Sequence, residues 1–208
     1  MSVPDLSWRA ARRIALRSQG LHRQRAEEMP SRRASANALA RTLRHTHLLQ
    51  IDSVSVFARA HHLPVYSRTG LWDVGALARA VEPHRADRLR ESLAHEAAFV
   101  PAEVHELLAF RRARAATRDW GAVRRAAEEA PGLLEAVLGA VQSHGPVSAA
   151  AVSQLLGDAN RPEDGWGWRR TRTQWMVEYL FRAGRIDCVG RSPQFERLYA
   201  LHRDDATG

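Results

Sequence analysis

Residues 48–68 read LLQIDSVSVFARAHHLPVYSR, and the fold turns on whether this run is strand or helix. Read as a strand, Leu48–Val54 alternates sides. Gln50 and Asp52 then share one face, and Leu49, Ile51 and Ser53 take the other. An amide and a carboxylate on one strand face form a small candidate active site. Read as a helix start, Asp52 or Ser53 is an ordinary N-cap for a helix through Val56–Ala60. Pro64 argues against one continuous helix over Val54–Arg68. Downstream, Arg59, His61, His62, Tyr66 and Arg68 are all side chains able to hold phosphate or stack on a base.

Working outward, a helix is expected over Ala34–Leu48, with Leu39, Leu43 and Leu48 inward. Before it, Asp5 or Ser7 caps a helix Trp8–Gln19, ended by Gly20, whose apolar stripe is Trp8, Ala11, Ala15 and Leu16. After it come a short helix Trp72–Ala80, stopped before Pro83, and a strand or wing within Arg88–Pro101. Pro101 then opens a helix Ala102–Arg114. Its Glu103 and Glu106 come early and Arg111, Arg112 and Arg114 late, which complements the helix dipole. Residues 118–132 read as a partly helical connection.

The C-terminal part repeats this kind of order. Leu133–Ser143 is a helix, Gly145–Leu156 a turn and a helix capped by Ser148, and 157–167 a polar loop. Trp168–Ala183 is a third helix, and Ile186–Val189 with Phe195–Leu201 forms a hairpin. Helices followed by a hairpin are the winged helix-turn-helix order. The expected class is mainly α with short β wings (α+β), as tandem winged helix-turn-helix modules over 1–117 and 118–208.

Composition narrows the partners. The chain has 208 residues and 45% apolar content, enough for one large or two small domains. No apolar run approaches the roughly 18 residues of a membrane span, and the N-terminus shows no apolar signal region. These features and the single cysteine, Cys188, lead to the expectation of a cytoplasmic, nucleoid-associated protein without disulfide or membrane contact. Thirty-one basic residues against 23 acidic give a net charge of +8, and every one of the 31 is arginine. A positive surface favours a polyanion, and arginine forks suit phosphates and guanine edges.

Adjacent His61 and His62 point apart in a strand, and no Cys/His/Glu set completes a metal site around them. His95-Glu96 departs from the zinc pattern, because alanine stands four residues after His95. No metal or cofactor is expected, and His62 and His95 are read as packing or phosphate groups.

The segment QIDSVSVFARAHHLPVYSR resembles the YcaQ/AlkX–AlkZ family of bacterial DNA glycosylases. The family signature is Gln, an apolar residue, then Asp or Gln. Here it reads Gln50-Ile51-Asp52. Supporting likenesses lie in LAHEAAFVP, where Leu93 replaces the usual tryptophan, and in DGWGWRRTR with Trp166 and Trp168. RSPQFERLYAL resembles the wing strand that follows, but carries Pro-Gln before Phe195 and Ala200 after Tyr199.

The resemblance implies winged-helix modules and removal of alkylated bases from double-stranded DNA, interstrand crosslinks included. It covers about the N-terminal half of the family's length, which implies a further C-terminal half or partner chain. It also implies the site: Asp52 as electrostatic stabiliser and general base, Gln50 as its positioning partner. Arg59, His61, His62, Tyr66, Arg68 and His95 would be DNA contacts. The activity would serve DNA repair or self-resistance to alkylating agents. The alternative is a DNA-binding protein without catalysis, either a winged-helix regulator, a DNA-shielding resistance protein or an inactive, truncated member. With no lysine in the sequence, a lyase step through a Schiff base would have only the N-terminal amine to use.

Overall fold

The computed structural model describes residues 5–115, 121, 131–158 and 170–202. Trp166, Trp168 and most of 118–132 and 157–167 lie outside the described residues. The chain is mainly helical with two small antiparallel sheets, and it divides into compact units at Val104/His105.

In the first unit α1 is Trp8–Ser18 and α2 is Arg32–Thr46. Both start on a serine whose hydroxyl accepts from a backbone N–H three residues on, Ser7 from Ala10 and Ser31 from Ala34. β1 (Leu49–Gln50) follows, then a 3-10 turn at Ala60–His62 that runs into α3 (Leu63–Thr69), with Pro64 in the first turn. After α4 (Gly75–Ala80), β2 (Arg90–Leu93) and β3 (Ala97–Val100) form a hairpin. β1 pairs with β3, so the sheet order is β1-β3-β2.

The core of this unit gathers Leu39 and Leu43 from α2, Leu49 from β1, Val65 from α3, and Trp72, Ala76 and Leu77. Burying each of the large side chains is worth roughly 1.5–3 kcal/mol. Polar ties join the helices. Ser35 Oγ accepts from Asp73 N at 3.0 Å. Asp73 takes Gly75 N on one oxygen and Arg79 on the other, and the Arg79 hydrogen bond holds its carboxyl below the usual carboxylate range. Gly70 is required where it stands. Its φ is +79°, and a Cβ there would lie 2.2 Å from the Ala26 carbonyl oxygen; Ala26 N donates to Thr69 O and Ala26 O accepts from Leu71 N, which anchors the polar link after α1.

Two expectations are corrected here. The apolar stripe of α1 does not face a core: no residue of α1 is buried, and Trp8 is 88% exposed. The helix is instead held at its C-terminal end. His45 Nδ1 hydrogen-bonds the Ser18 carbonyl at 3.0 Å, and Arg68 Nε donates to the Gln19 carbonyl at 2.7 Å. The helix expected over Ala102–Arg114 breaks into α5 (Ala102–Leu107) and α6 (Ala109–Ala113). At the break the His105 carbonyl is shared between Leu108 N, a three-residue bond, and the Arg112 guanidinium at 2.8 Å.

The second unit contains α7 (Pro131–His144), β4 (Val147–Ser148), α8 (Ala149–Leu155), α9 (Arg172–Arg182), β5 (Ile186–Arg191) and β6 (Arg197–Leu201). Its sheet order is β4-β6-β5, with the first strand against the last, as in the first unit. A capping box starts α9: Thr171 accepts from Gln174 N, and the Gln174 side chain accepts from Thr171 N. Val137, Val141, Val152, Met176, Leu180 and Ile186 fill the core. Glu178 on α9 is buried and accepts from Arg182 at 3.0 Å and Arg197 at 3.2 Å, with Arg170 3.6 Å away.

Candidate active site

The register of the first sheet decides which way Gln50 faces. Leu49 stands opposite Phe99, which stands opposite Glu91. Directly opposed residues lie on one side of a sheet, and Leu49 belongs to the core, so this row faces the helices. Gln50, Ala98 and Ser92 form the next row and take the other side. The Gln50 side chain is exposed, and among the described residues its amide makes no hydrogen bond.

Asp52 is not part of a strand, which corrects both readings of this stretch. The strand ends at Gln50, although Ile51 N still donates to Ala97 O at 2.7 Å. No helix starts here either. Asp52 Oδ1 accepts from Val54 N at 2.9 Å, the turn by which aspartate bends its own backbone away from a ladder. This bond fixes one carboxylate oxygen. Among the described residues no arginine pairs with the other, and the side chain is partly exposed.

From Ser53 to Ala58 the chain is an exposed loop. Ser55 and Arg59 bridge its base, and Arg59 Nη1 donates to the Ser53 carbonyl at 2.6 Å. The loop re-enters the unit at His61 and His62. His61 is 4% exposed, its ring edge-on to Phe99 at 5.6 Å and 4.3 Å from the His62 ring. The His62 ring in turn lies 5.8 Å from Trp72. Burial, and then the charge of Arg59, pushes the His62 imidazole below its ordinary value and keeps it neutral. This file of rings packs the loop against the unit.

The expected contact residues therefore separate. His61 faces the interior, and Arg68 spends its donors on Gln19 O and Pro64 O. Tyr66 on α3 is exposed. His95 is exposed in the turn Ala94–Glu96, which Ala94 N closes onto Glu96 O at 3.2 Å. The Ile51–Ala97 bond brings the chain just after Gln50 against the strand that leaves the His95 turn.

Chemically, an amide with open donors and an acceptor ends β1, and two residues on comes a carboxylate with one oxygen fixed by Val54 N. Such a pair can hold a water and oppose positive charge developing nearby. From Ser53 to Trp72 the chain has no acidic residue, so Asp52 borders a stretch whose only formal charges are positive. Comparison with protein families matches residues 43–206, more than three quarters of the chain, to the family described as DNA glycosylase AlkZ-like. No solved structure matches the chain.

Proposed function

The chain belongs to the AlkZ-like DNA glycosylase family, and from that premise we propose that it hydrolyses the N-glycosidic bond of cationic N7-alkylated purines in double-stranded DNA, crosslinked purines included. What supports this reading is that both polar residues of the Gln50-Ile51-Asp52 signature are accessible, Gln50 at the end of β1 and Asp52 in the turn after it.

Alkylation at N7 puts a positive charge on the purine and weakens its bond to the sugar. When that bond breaks, its electron pair leaves with the base and cancels the charge. The positive charge then lies on the sugar, where the Asp52 carboxylate opposes it. A water held by Gln50 attacks the anomeric carbon and passes its proton to Asp52. An accessible site suits a crosslinked base, which cannot swing freely out of the duplex as glycosylase substrates commonly do.

Each unit is proposed to be a winged-helix module. Support comes from the shared order of helix, short strand, two helices and hairpin, with the first strand paired to the last. Arg59 at the base of the loop, and Tyr66 and His95, both exposed, are proposed to contact the DNA backbone. His62 acts from behind them by packing the loop.

Release of free 7-methylguanine from a duplex carrying that base tests the activity. Because the sequence has no lysine, the enzyme is expected to be monofunctional. Borohydride should trap no DNA–protein adduct during turnover; efficient trapping would assign a lyase step through the terminal amine.

A further inference from the structure

Three large apolar side chains cluster immediately after Asp52. Val54 is 65% exposed, Val56 80% and Phe57 101%. Single exposed hydrophobic residues are ordinary, but three within four residues on one loop are not. The loop is also held at its base by the Ser55–Arg59 bridge, the Arg59–Ser53 bond and the Asp52 turn. Its tip therefore presents apolar surface from a fixed stem.

The charge around the tip indicates the occupant. From Ser53 to Trp72 there is no carboxylate, and Arg59 stands at the base of the loop. An apolar point beside an arginine, in a stretch without carboxylates, is complementary to a base stack bordered by phosphates.

We propose that the Val54–Phe57 tip is a wedge that enters duplex DNA beside the base under attack, with the Phe57 ring stacking into an opened base step. This deepens the glycosylase reading and rests on its premise of a duplex substrate. Apolar side chains of this kind part base steps in other DNA-bending proteins. The reach is suitable: five residues from Asp52 span at most about 17 Å, a few base steps of about 3.4 Å each. A wedge also explains how Asp52 approaches the sugar of a base that cannot leave the stack. It opens the step while the base stays in place.

The experiment uses the full chain and an uncleavable duplex containing an abasic-site analogue, with 2-aminopurine one step to either side. Unstacking raises 2-aminopurine fluorescence. Saturating wild-type protein should raise it, Phe57→Ala should lose most of the rise, and Phe57→Trp should keep it. Affinity of Phe57→Ala should fall by about tenfold or less, because the stacking lost is offset by the step no longer opened. Its salt dependence should not change, since phosphate contacts remain.

An equal rise with Phe57→Ala overturns the wedge, as does binding by wild type without any rise. So does a dimer that dissociates on Phe57→Ala with DNA binding unaffected, which would give the tip to a second copy of the chain. None of these readings requires turnover. Unstacking without base release would remove the activity and leave the wedge, while base release without unstacking would do the reverse.

Discussion

The two units share their order of elements and their order of strands, and they part at one joint. In the second unit β4 passes straight into α8, where Ser148 both ends the strand and caps the helix through Ala151 N. In the first unit residues 51–62 stand between β1 and α3. That stretch holds Asp52, the exposed apolar tip, Arg59 and both packed histidines. The same scaffold is closed at this joint in one unit and opened in the other. The candidate chemistry lies in the opening.

Their carboxylates differ in the same sense. Glu178 is buried under arginines, while Asp52 is fixed by one backbone N–H and otherwise faces outward. The first should matter for stability and the second for chemistry.

Leu49 is fully buried where β1 meets the core, so Leu49→Ala should cost about 2–5 kcal/mol in urea unfolding. A cost below 1 kcal/mol would mean that β1 does not anchor the opened joint. Glu178→Ala removes the buried acceptor shared by Arg182 and Arg197, and should cost about 3 kcal/mol. Asp52→Asn should change stability by no more than about 0.5 kcal/mol. Similar costs for the two would erase the distinction between them.

The smallest effect concerns His62. Its folded imidazole resists protonation, through burial first and Arg59 second, whereas the unfolded side chain has the ordinary value of 6.5. The unfolded state therefore binds the proton more readily. This share of stability is complete above pH 6.5 and is lost as pH falls through the lower folded value. Melting curves from pH 7.5 to 5 should show a decline for wild type that is shallower in His62→Gln. Parallel curves would mean that the ring is not held neutral.

What was legible in the sequence was local. Ser7 and Ser148 announce helix starts because a cap is made within three residues. The hairpin at Ile186–Leu201 followed from apolar runs on either side of turn residues, whereas within Arg88–Pro101 the apolar end Ala97–Val100 gave only a strand or wing. The family signature was equally local, since Gln50-Ile51-Asp52 is contiguous.

What was not legible depends on contacts between distant segments. Alternation put Asp52 on a strand, but its side chain bonds Val54 N and ends the ladder. Periodicity gave α1 an apolar stripe without saying what lies against it. His61 reads as a phosphate ligand until Phe99, on another strand, is found beside it. That β1 lies against the strand leaving the His95 turn follows only from the register of β1 against β3.

The central claim is that Asp52, set in the opened joint, breaks the glycosidic bond. Single-turnover release of 7-methylguanine from a duplex, wild type beside Asp52→Asn, tests it most directly. The account predicts release by wild type and a loss of about 10²- to 10⁴-fold in the variant, with duplex affinity retained. Equal release by both proteins, or none by a wild type that binds the duplex tightly, would contradict it.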